Sequence, residues 1–575
     1  MDFAAFEHDR KFVIEALRRG ELDYLEPVTE AAEADFFRHL FSRDILTKLA
    51  EKYPTPRKKE EVPVWLYVAS QITLKLHDAS YHALPYVLRS GGLISALGPT
   101  VGRKVVHPDT KDVTLACEGF NKKNTNGRQT PGARVISALC DQDFVRKFAK
   151  DTKTDRLHAW FNREVPRTMR AMRLYDEEGL FIGDGSYVFV PDNENYEGSV
   201  KLLFDEHNHP VDSKKVDLRD KRYQWRRCYK VVSLIHVNRS LDLFLTVAAR
   251  NALSTLAPVV PGNKHECPIL YELVDDFVKA VERGRMKILM VDRGLIDGPN
   301  MGRLKTDYHI DTVVPLKKNM DAYQDAIGLT RMKDFKWEPY VLPYATQRDQ
   351  KDRPKHPTIV KREETRQKTL AKKKGLPSPA QELKAHSEPV RQPQTLLGIA
   401  RGVTSWTDCP VPLTVVINRE VDKDGNSDDW VLSTTSASMS APQTRANYAL
   451  RTSIEERHRQ YKCFWDLAQM PSRKFSMVVN QVLFVLLSYT LLQAHLFLRK
   501  RKEMNARTRG RILDILNPAV QVVAVYYQQR FCLLTLGEFG MILLELDEEA
   551  RAKLRPKMKQ IHRDVYKLLQ NARPP

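Results

Sequence analysis

The sequence predicts a mixed α/β fold, with a strand-rich central region entered through a mostly helical N-terminal region and left through a helical C-terminal tail. Three observations carry this. Apolar residues in the first 175 positions recur at helical spacing; from Gly179 the runs GLFIGDGSYVFV, RCYKVVSLIHV and LDLFLTVAAR are β-rich; and helix and strand then alternate, a pattern that places the strands in one mixed sheet.

In residues 1–175, the stretch VPVWLYVASQITLKLHDASYHALPYVLRSGG reads as two helices broken at Asp78-Ala79-Ser80 and stopped by Gly-Gly, an arrangement able to present one helix to DNA. Basic loops follow, containing Arg103, Lys104, Lys122, Lys123 and Arg128, which suit either DNA contact or ordinary solvation. Residues 176–320 form the first part of the core. Three strands come first, the last two linked by Asn-Arg-Ser as a hairpin, with an irregular polar insert at 191–225 between the first and second. LVDDFVKAVERG is then a helix, KILMVD a fourth strand, GPNMGRLKT a helical crossover and IDTVVPLKK a fifth strand. Residues 321–428 read as a β-rich insertion containing a Lys-rich tract at 345–394, too polar and too rich in proline to build a core. The second part of the core occupies 429–500, and the helical tail 501–575.

Charge narrows the function. Lys and Arg total 92 against 72 acids, a net of +20 with an isoelectric point near 9.4, so polyanions are attracted and nucleic acid is the first partner to consider. The seven cysteines are scattered, with no CxxC pair, which supports neither a disulfide framework nor a zinc ribbon. A reducing interior fits, and the first twenty residues lack the apolar run and small-residue cleavage site of a secretory signal. A cytoplasmic, nucleoid-associated protein is expected. Phe475 to Leu498 is long enough to span a bilayer, but Asn480, Gln481, Ser488, Tyr489, Thr490, Gln493 and His495 interrupt it, which suits a helix buried in protein rather than lipid. His207 and His209 form a single HxH in a polar loop and are read as loop residues.

Three acids stand out. Asp184 lies inside an apolar strand run, where an ionised carboxylate needs a partner, although aspartate beside glycine also marks turns. Asp292 closes KILMVD, at the kind of strand end where ligands gather or where an aspartate simply caps a loop. Glu455 lies in YALRTSIEERHRQYK. At about 100° per residue, Tyr448, Arg451, Glu455 and Lys462 share a face with Arg459 close by, while Leu450, Ile454, Tyr461 and Trp465 form the packing stripe; Glu456 points away, toward solvent. A charged helix face is also an ordinary surface feature. Three converging carboxylates suit hard divalent cations, and neighbouring cations suit phosphates.

The spacing Y-(2)-R-(3)-E-(6)-K, present as Tyr448, Arg451, Glu455 and Lys462, resembles the signature of insertion-sequence-four-type DDE transposases. VDRGLIDGPNMGRLKTDYHIDTVVPLKKN resembles that family's second-aspartate block and IGDGS its first. The resemblance implies a ribonuclease-H-like core; Asp184, Asp292 and Glu455 as the catalytic, metal-binding triad; and two Mg2+ ions, with Mn2+ able to substitute. It also implies end binding by Tyr448, Arg451 and Lys462, hairpin-ended excision, and strand transfer by a homodimer holding transposon ends and target DNA. Arg459 joins these cations on position. A flipped base in hairpin-forming relatives stacks on an insertion aromatic, for which Trp406 is the first candidate and Trp430 the second. Two rival functions remain: a nuclease on the same fold that does not join strands, and a domesticated DNA-binding protein.

Overall fold

A computed structural model describes residues 7–84 (except 31–32 and 59–61), 142–237, 252–340, 394–501 (except 423–424) and 520–556 (except 529), with Phe3–Ala4, Gly102–Val106, Val113–Ala116, Met504, Ile512 and Met558. The expected strand at 241–250, most of the Lys-rich tract, the loops holding Lys122, Lys123 and Arg128, and the last residues of the tail lie outside the described residues.

The N-terminal region comprises β1 (Phe3–Ala4), β2 (Glu7–His8), α1 (Arg10–Arg18), β3 (Tyr24–Glu30), α2 (Ala34–Ser42), α3 (Ile45–Glu51), α4 (Val64–Leu76), β4 (Gly102–Val106), β5 (Val113–Ala116), α5 (Gln142–Asp151) and α6 (Thr154–Ala171). Helix α4 stops where expected, as Asp78 turns to a φ of 51°. It does not present itself to DNA, however: Leu66 to Leu76 are all buried. The sequence pattern is apolar nearly all round, which suits a helix enclosed by protein.

The core runs through β6 (Leu180–Val190), β7 (Val200–Phe204), β8 (Gln224–Val237), β9 (Ala252–Leu256), β10 (Val259–Pro261), α7 (Glu266–Val281), β11 (Ile288–Val291), α8 (Gly298–Tyr308), β12 (Asp311–Pro315) and α9 (Asp321–Leu329). Next come β13 (Glu338–Tyr340), β14 (Gln394–Val403), β15 (Leu413–Val421), β16 (Ser427–Thr434), α10 (Ala441–Ala449), α11 (Thr452–Cys463) and α12 (Phe475–Leu498). These strands form one eleven-stranded sheet in the order β10-β8-β6-β11-β12-β16-β15-β14-β13, with β7 and β9 also paired to β8. β6, β11 and β12 are parallel and their outer neighbours antiparallel. This mixed sheet, with helices on its faces, is the ribonuclease-H-like arrangement the resemblance implied. The β-rich insertion is no separate sheet, since β13 to β15 continue the core sheet past β16.

Among the described residues α12 alone is long and apolar enough to cross a membrane, and nearly all of it is buried against α4, α6 and β9. Three of its polar residues pair with neighbouring helices: Asn480 donates to the Tyr67 hydroxyl at 2.9 Å, Gln481 pairs with Lys75, and the Tyr489 hydroxyl accepts from Arg457 at 3.0 Å. Burying those groups unpaired would cost about 1–3 kcal/mol each, so the pairings fix the helix's rotation as well as its depth.

The C-terminal region holds a strand pair ahead of its helix, where the sequence reading gave helix alone. β17 (Val520–Tyr527) and β18 (Arg530–Thr535) pair with β3 and β2, and α13 (Leu536–Glu545) follows behind a capping box of Thr535 and Glu538. The β-branched and aromatic run VQVVAVYY explains the strand. It pairs locally with β18, while its other neighbour, β3, comes from the chain's other end.

Candidate active site

The site is built at the end of the parallel strands. β6 and β11 run side by side with Gly183 opposite Val291, so the next residue of each chain, Asp184 and Asp292, emerges beside the other. Glycines frame Asp184 for a steric reason: a Cβ at Gly183 would meet the Leu270 side chain of α7 at 2.5 Å, and one at Gly185 would touch Glu266 at 3.4 Å. The bare positions let α7 lie on one face of β6, and alternation sends Asp184 to the other face, under α11. Asp184 is therefore within a strand and not in a turn.

Asp292 directly follows β11 and precedes a single 3-10 turn, Arg293–Leu295. Glu455 arrives from α11, and Arg451 ties it to the strand end. One guanidinium nitrogen lies 3.3 Å from Asp292 Oδ2 and the other donates to Glu455 Oε1 at 2.6 Å. The Arg451 side chain is 16% exposed. Burial opposes its charge, yet the surrounding carboxylates and the Tyr448 hydroxyl outweigh this and raise its pKa.

Asp184 accepts a hydrogen bond from the Gly185 N–H at 2.8 Å. Its carboxyl is pushed up to about 6, by burial first, with Asp292 and Glu455 adding to the shift and Arg451 and the Gly185 N–H opposing it. Lys462, half-buried, is held below the usual ammonium range by burial, with Arg226 pushing the same way and Cys463 and Asp184 opposing. Burial likewise pushes the Tyr448 hydroxyl up to about 12.

The signature segment is not one continuous helix. The N–H groups of Leu450, Arg451, Ser453 and Ile454 donate to carbonyls three residues back, so the chain tightens between α10 and α11. Leu450, Ile454, Tyr461 and Trp465 are buried as expected. Glu456 is not the solvated acid expected. It is 8% exposed, accepts from both Arg459 nitrogens at 2.6 and 2.7 Å, and takes a third bond from Gln460 at 2.9 Å. Burial pushes its carboxyl up, but these bonds outweigh it and leave it below the usual range. Arg459 is thereby engaged with Glu456 and lies over the Phe464 ring at 4.8 Å.

Of the two tryptophans, Trp430 reaches this cluster: its ring centroid is 6.0 Å from that of Tyr448, with Arg445 over it at 4.7 Å. Trp406 sits in the β14–β15 loop, donating to Asp408 at 3.3 Å, and that loop packs against Gly298 and Gly302 of α8. His207 and His209 are exposed loop residues, as read from the sequence. A cavity of about 490 Å³ opens at the opposite end of the strands, beside Leu180, Ile288 and Asp311, and contains none of the three acids.

Whether the acids suit divalent ions follows from their chemistry. They are hard oxygen donors, and Asp184 is a carboxylate short of compensating positive charge. Among the described residues no three His, Cys, Asp or Glu side chains stand close enough as placed to grip one ion. Arg451 instead lies between two of the acids.

Acids at the parallel strand ends of a ribonuclease-H-like sheet, with Arg451 between two of them, accord with the nucleotidyl-transferase or endonuclease class that the family comparison gives. A family model described as a transposase DDE domain matches residues 199–491, a little over half of the chain, and the chain belongs to the DDE transposase family. The match takes in Asp292 and Glu455 and begins after Asp184. No curated protein matches the chain. Family membership brings a transposase or nuclease function, binding of transposon DNA and the general use of divalent metal ions.

Proposed function

We propose that this chain is an insertion-sequence-four-type transposase in which Asp184, Asp292 and Glu455 hold two magnesium ions, cutting the element's ends and joining the freed 3′-hydroxyl to target DNA. The observation that carries the reading is the side-by-side exit of Asp184 and Asp292 from parallel strands, with Glu455 tied to Asp292 through Arg451. Asp184, Asp292 and Glu455 would hold the divalent ions, which would supply activation of a nucleophilic oxygen and stabilisation of the leaving oxygen in an in-line displacement.

The chain's own residues do the rest. Asp184 contributes a carboxylate whose proton leaves near pH 6, within reach of neutral conditions. Arg451 neutralises Asp292 and Glu455 in the free protein and is the cation nearest them that would meet a DNA phosphate at the site. Lys462 and the Tyr448 hydroxyl hold neighbouring phosphates. Arg459 serves mainly to fix Glu456 and with it the rotation of α11. Two ends must be cut in one event, so the working unit is a homodimer, with residues 1–175 contributing end recognition.

The test uses a labelled duplex carrying the terminal inverted repeat found beside the gene, a plasmid target and magnesium. Hairpinned ends and joined products are expected. Cleavage with no joining under any target condition returns the chain to the nuclease reading. Binding with no cleavage returns it to the DNA-binding one.

A further inference from the structure

The strands beyond β16 are the part of the sheet that the catalytic reading leaves without a task. They lie under α10, the helix that carries Tyr448. Leu397 and Ile399 of β14, Val416 of β15 and Leu432 of β16 share the face on which Ala441, the first residue of α10, and Tyr448 pack. α10 is thus seated on β14 to β16, and its Arg445 is tied to Glu420 of β15 at 3.4 Å.

Arg401 follows on the same face. Alternation along β14 puts it in line with Leu397 and Ile399, and there the pairing is interrupted: from Ala400 to Val403 the strand advances three residues while β15 advances two, from Val415 to Leu413. The extra residue makes a β-bulge. Gly402 holds a φ of 71°, and a Cβ on it would meet nothing within 4 Å, so glycine is needed there for its backbone and not for space. Bulges of this kind bend a strand and re-aim a side chain. Here the side chain is that of Arg401.

Its two terminal nitrogens donate to the carbonyls of Ala437 and Met439, the second at 3.1 Å. Both carbonyls belong to the link between β16 and α10. The link is fixed at its start by Thr435, whose N–H donates to the Thr312 carbonyl of β12 at 3.3 Å and whose Oγ1 accepts from the Thr312 N–H at 3.0 Å. It is fixed at its end by the capping box of Ser440 and Gln443. Arg401 grips the stretch between, and the Met439 side chain is buried in one cluster with Leu450 and Ile454 of the signature segment. A planar guanidinium spans two carbonyls at once and fixes the angle between them, which a lysine ammonium on its flexible stem does not.

The grip sets the direction in which α10 leaves the sheet. From Ser440 the helix reaches Tyr448, and the tightened turn behind it leads to Arg451, which bridges Asp292 and Glu455. A displacement at the start of a rigid helix is carried to its far end, and about 1 Å at a reacting group is enough to cost on the order of a hundredfold. We infer that Arg401, on a strand of the insertion, is the positioning residue for the signature segment: through the carbonyls of Ala437 and Met439 it sets α10, and with it the approach of Glu455 to Asp184 and Asp292. The inference rests on the proposed reading of those three acids as one metal-binding set.

The experiment compares the full chain with Arg401→Met and Arg401→Lys, each alone and combined with Glu455→Gln. Manganese binding to the free protein is read from loss of the free-ion paramagnetic resonance signal, cleavage of the end-repeat duplex is titrated with magnesium, and thermal melts are run on the same preparations. Arg401→Met should weaken manganese binding and raise the magnesium midpoint by about threefold to tenfold, less than for a group that touches a ligand directly. Its Tm should stay within about 2 °C of wild type. Arg401→Lys should recover part of the metal affinity, and it decides by the same criteria if Arg401→Met does not fold. In the Glu455→Gln background the Arg401 substitutions should change manganese binding by less than about twofold, because the carboxylate being positioned is already gone. A metal effect of equal size in both backgrounds, or an unchanged metal dependence with or without a fall in Tm, overturns the assignment. Wild-type protein that neither binds manganese nor cleaves overturns the transposase reading instead.

Discussion

Two faces of α11 carry adjacent glutamates in opposite states. Glu456 is 8% exposed and saturated by Arg459 and Gln460, whereas Glu455 is 56% exposed and shares the single guanidinium of Arg451 with Asp292. The first face has as many donors as its carboxylate needs. The second crowds Asp184, Asp292 and Glu455 around one cation, with Asp184 pushed up to about 6 as a result of burial and that crowding. A fold gains nothing from gathering like charges, so on the proposed reading the excess is where added cations would bind, while the balanced face holds the helix in position.

The largest effect that separates the faces is catalytic. Glu455→Gln should lower end cleavage by on the order of a thousandfold or more while DNA binding stays within a few fold, measured on the same labelled duplex. Glu456→Gln should leave cleavage within about threefold. An equal loss from both would end the distinction between them.

Next in size is a stability effect with the opposite sign from the usual mutation. The folded-state pKa of Asp184, about 6, lies above its ordinary 3.8, so the folded chain keeps a proton that the unfolded chain has released. Stability contributed by this group is present below the lower value, falls as pH rises between the two, and stays lost above the higher. Asp184→Asn should therefore raise the metal-free protein's stability at pH 7 by roughly 1–3 kcal/mol, and by little at pH 4. Thermal melts at the two pH values check this; a destabilised variant at pH 7 would show that the carboxylate is already compensated. Glu456→Gln should do the reverse, costing roughly 1–2 kcal/mol at pH 7, a range discounted because Arg459 is half-exposed.

Much of this asymmetry was readable in the sequence. Helical spacing put Arg451 with Glu455 and set Glu456 apart, and the strand runs around Asp184 and Asp292 predicted the sheet that brings them together. The burial of Glu456 was not readable, because it depends on Arg459 and Gln460 folding back over it within the wholly polar stretch EERHRQ of the helix. Nor was the tightening before α11, which a regular 100° wheel cannot represent. The terminal sheet escaped in part for a different reason: β17 and β18 form a local hairpin, but Val525 also pairs with Leu25, five hundred residues away, and no local pattern announces a partner at that range.

The smallest expected effect concerns the tryptophans that flank the comparison. Trp430 touches the signature through Tyr448, and its indole donates to Glu420 at 3.2 Å while Arg445 covers one side of the ring. Removing it takes away the wall against which Tyr448 is held, without touching Asp184, Asp292 or Glu455. Trp430→Ala should therefore slow cleavage about threefold to tenfold, and Trp430→Phe should recover most of the loss, because a ring and not its N–H supports Tyr448. Trp406 packs toward α8, so Trp406→Ala should cost less. A 2-aminopurine at the terminal base separates support from stacking. If Trp406→Ala abolishes its fluorescence rise while Trp430→Ala leaves it intact, the flipped base belongs on Trp406 and Trp430 acts only as packing for the charge-crowded face.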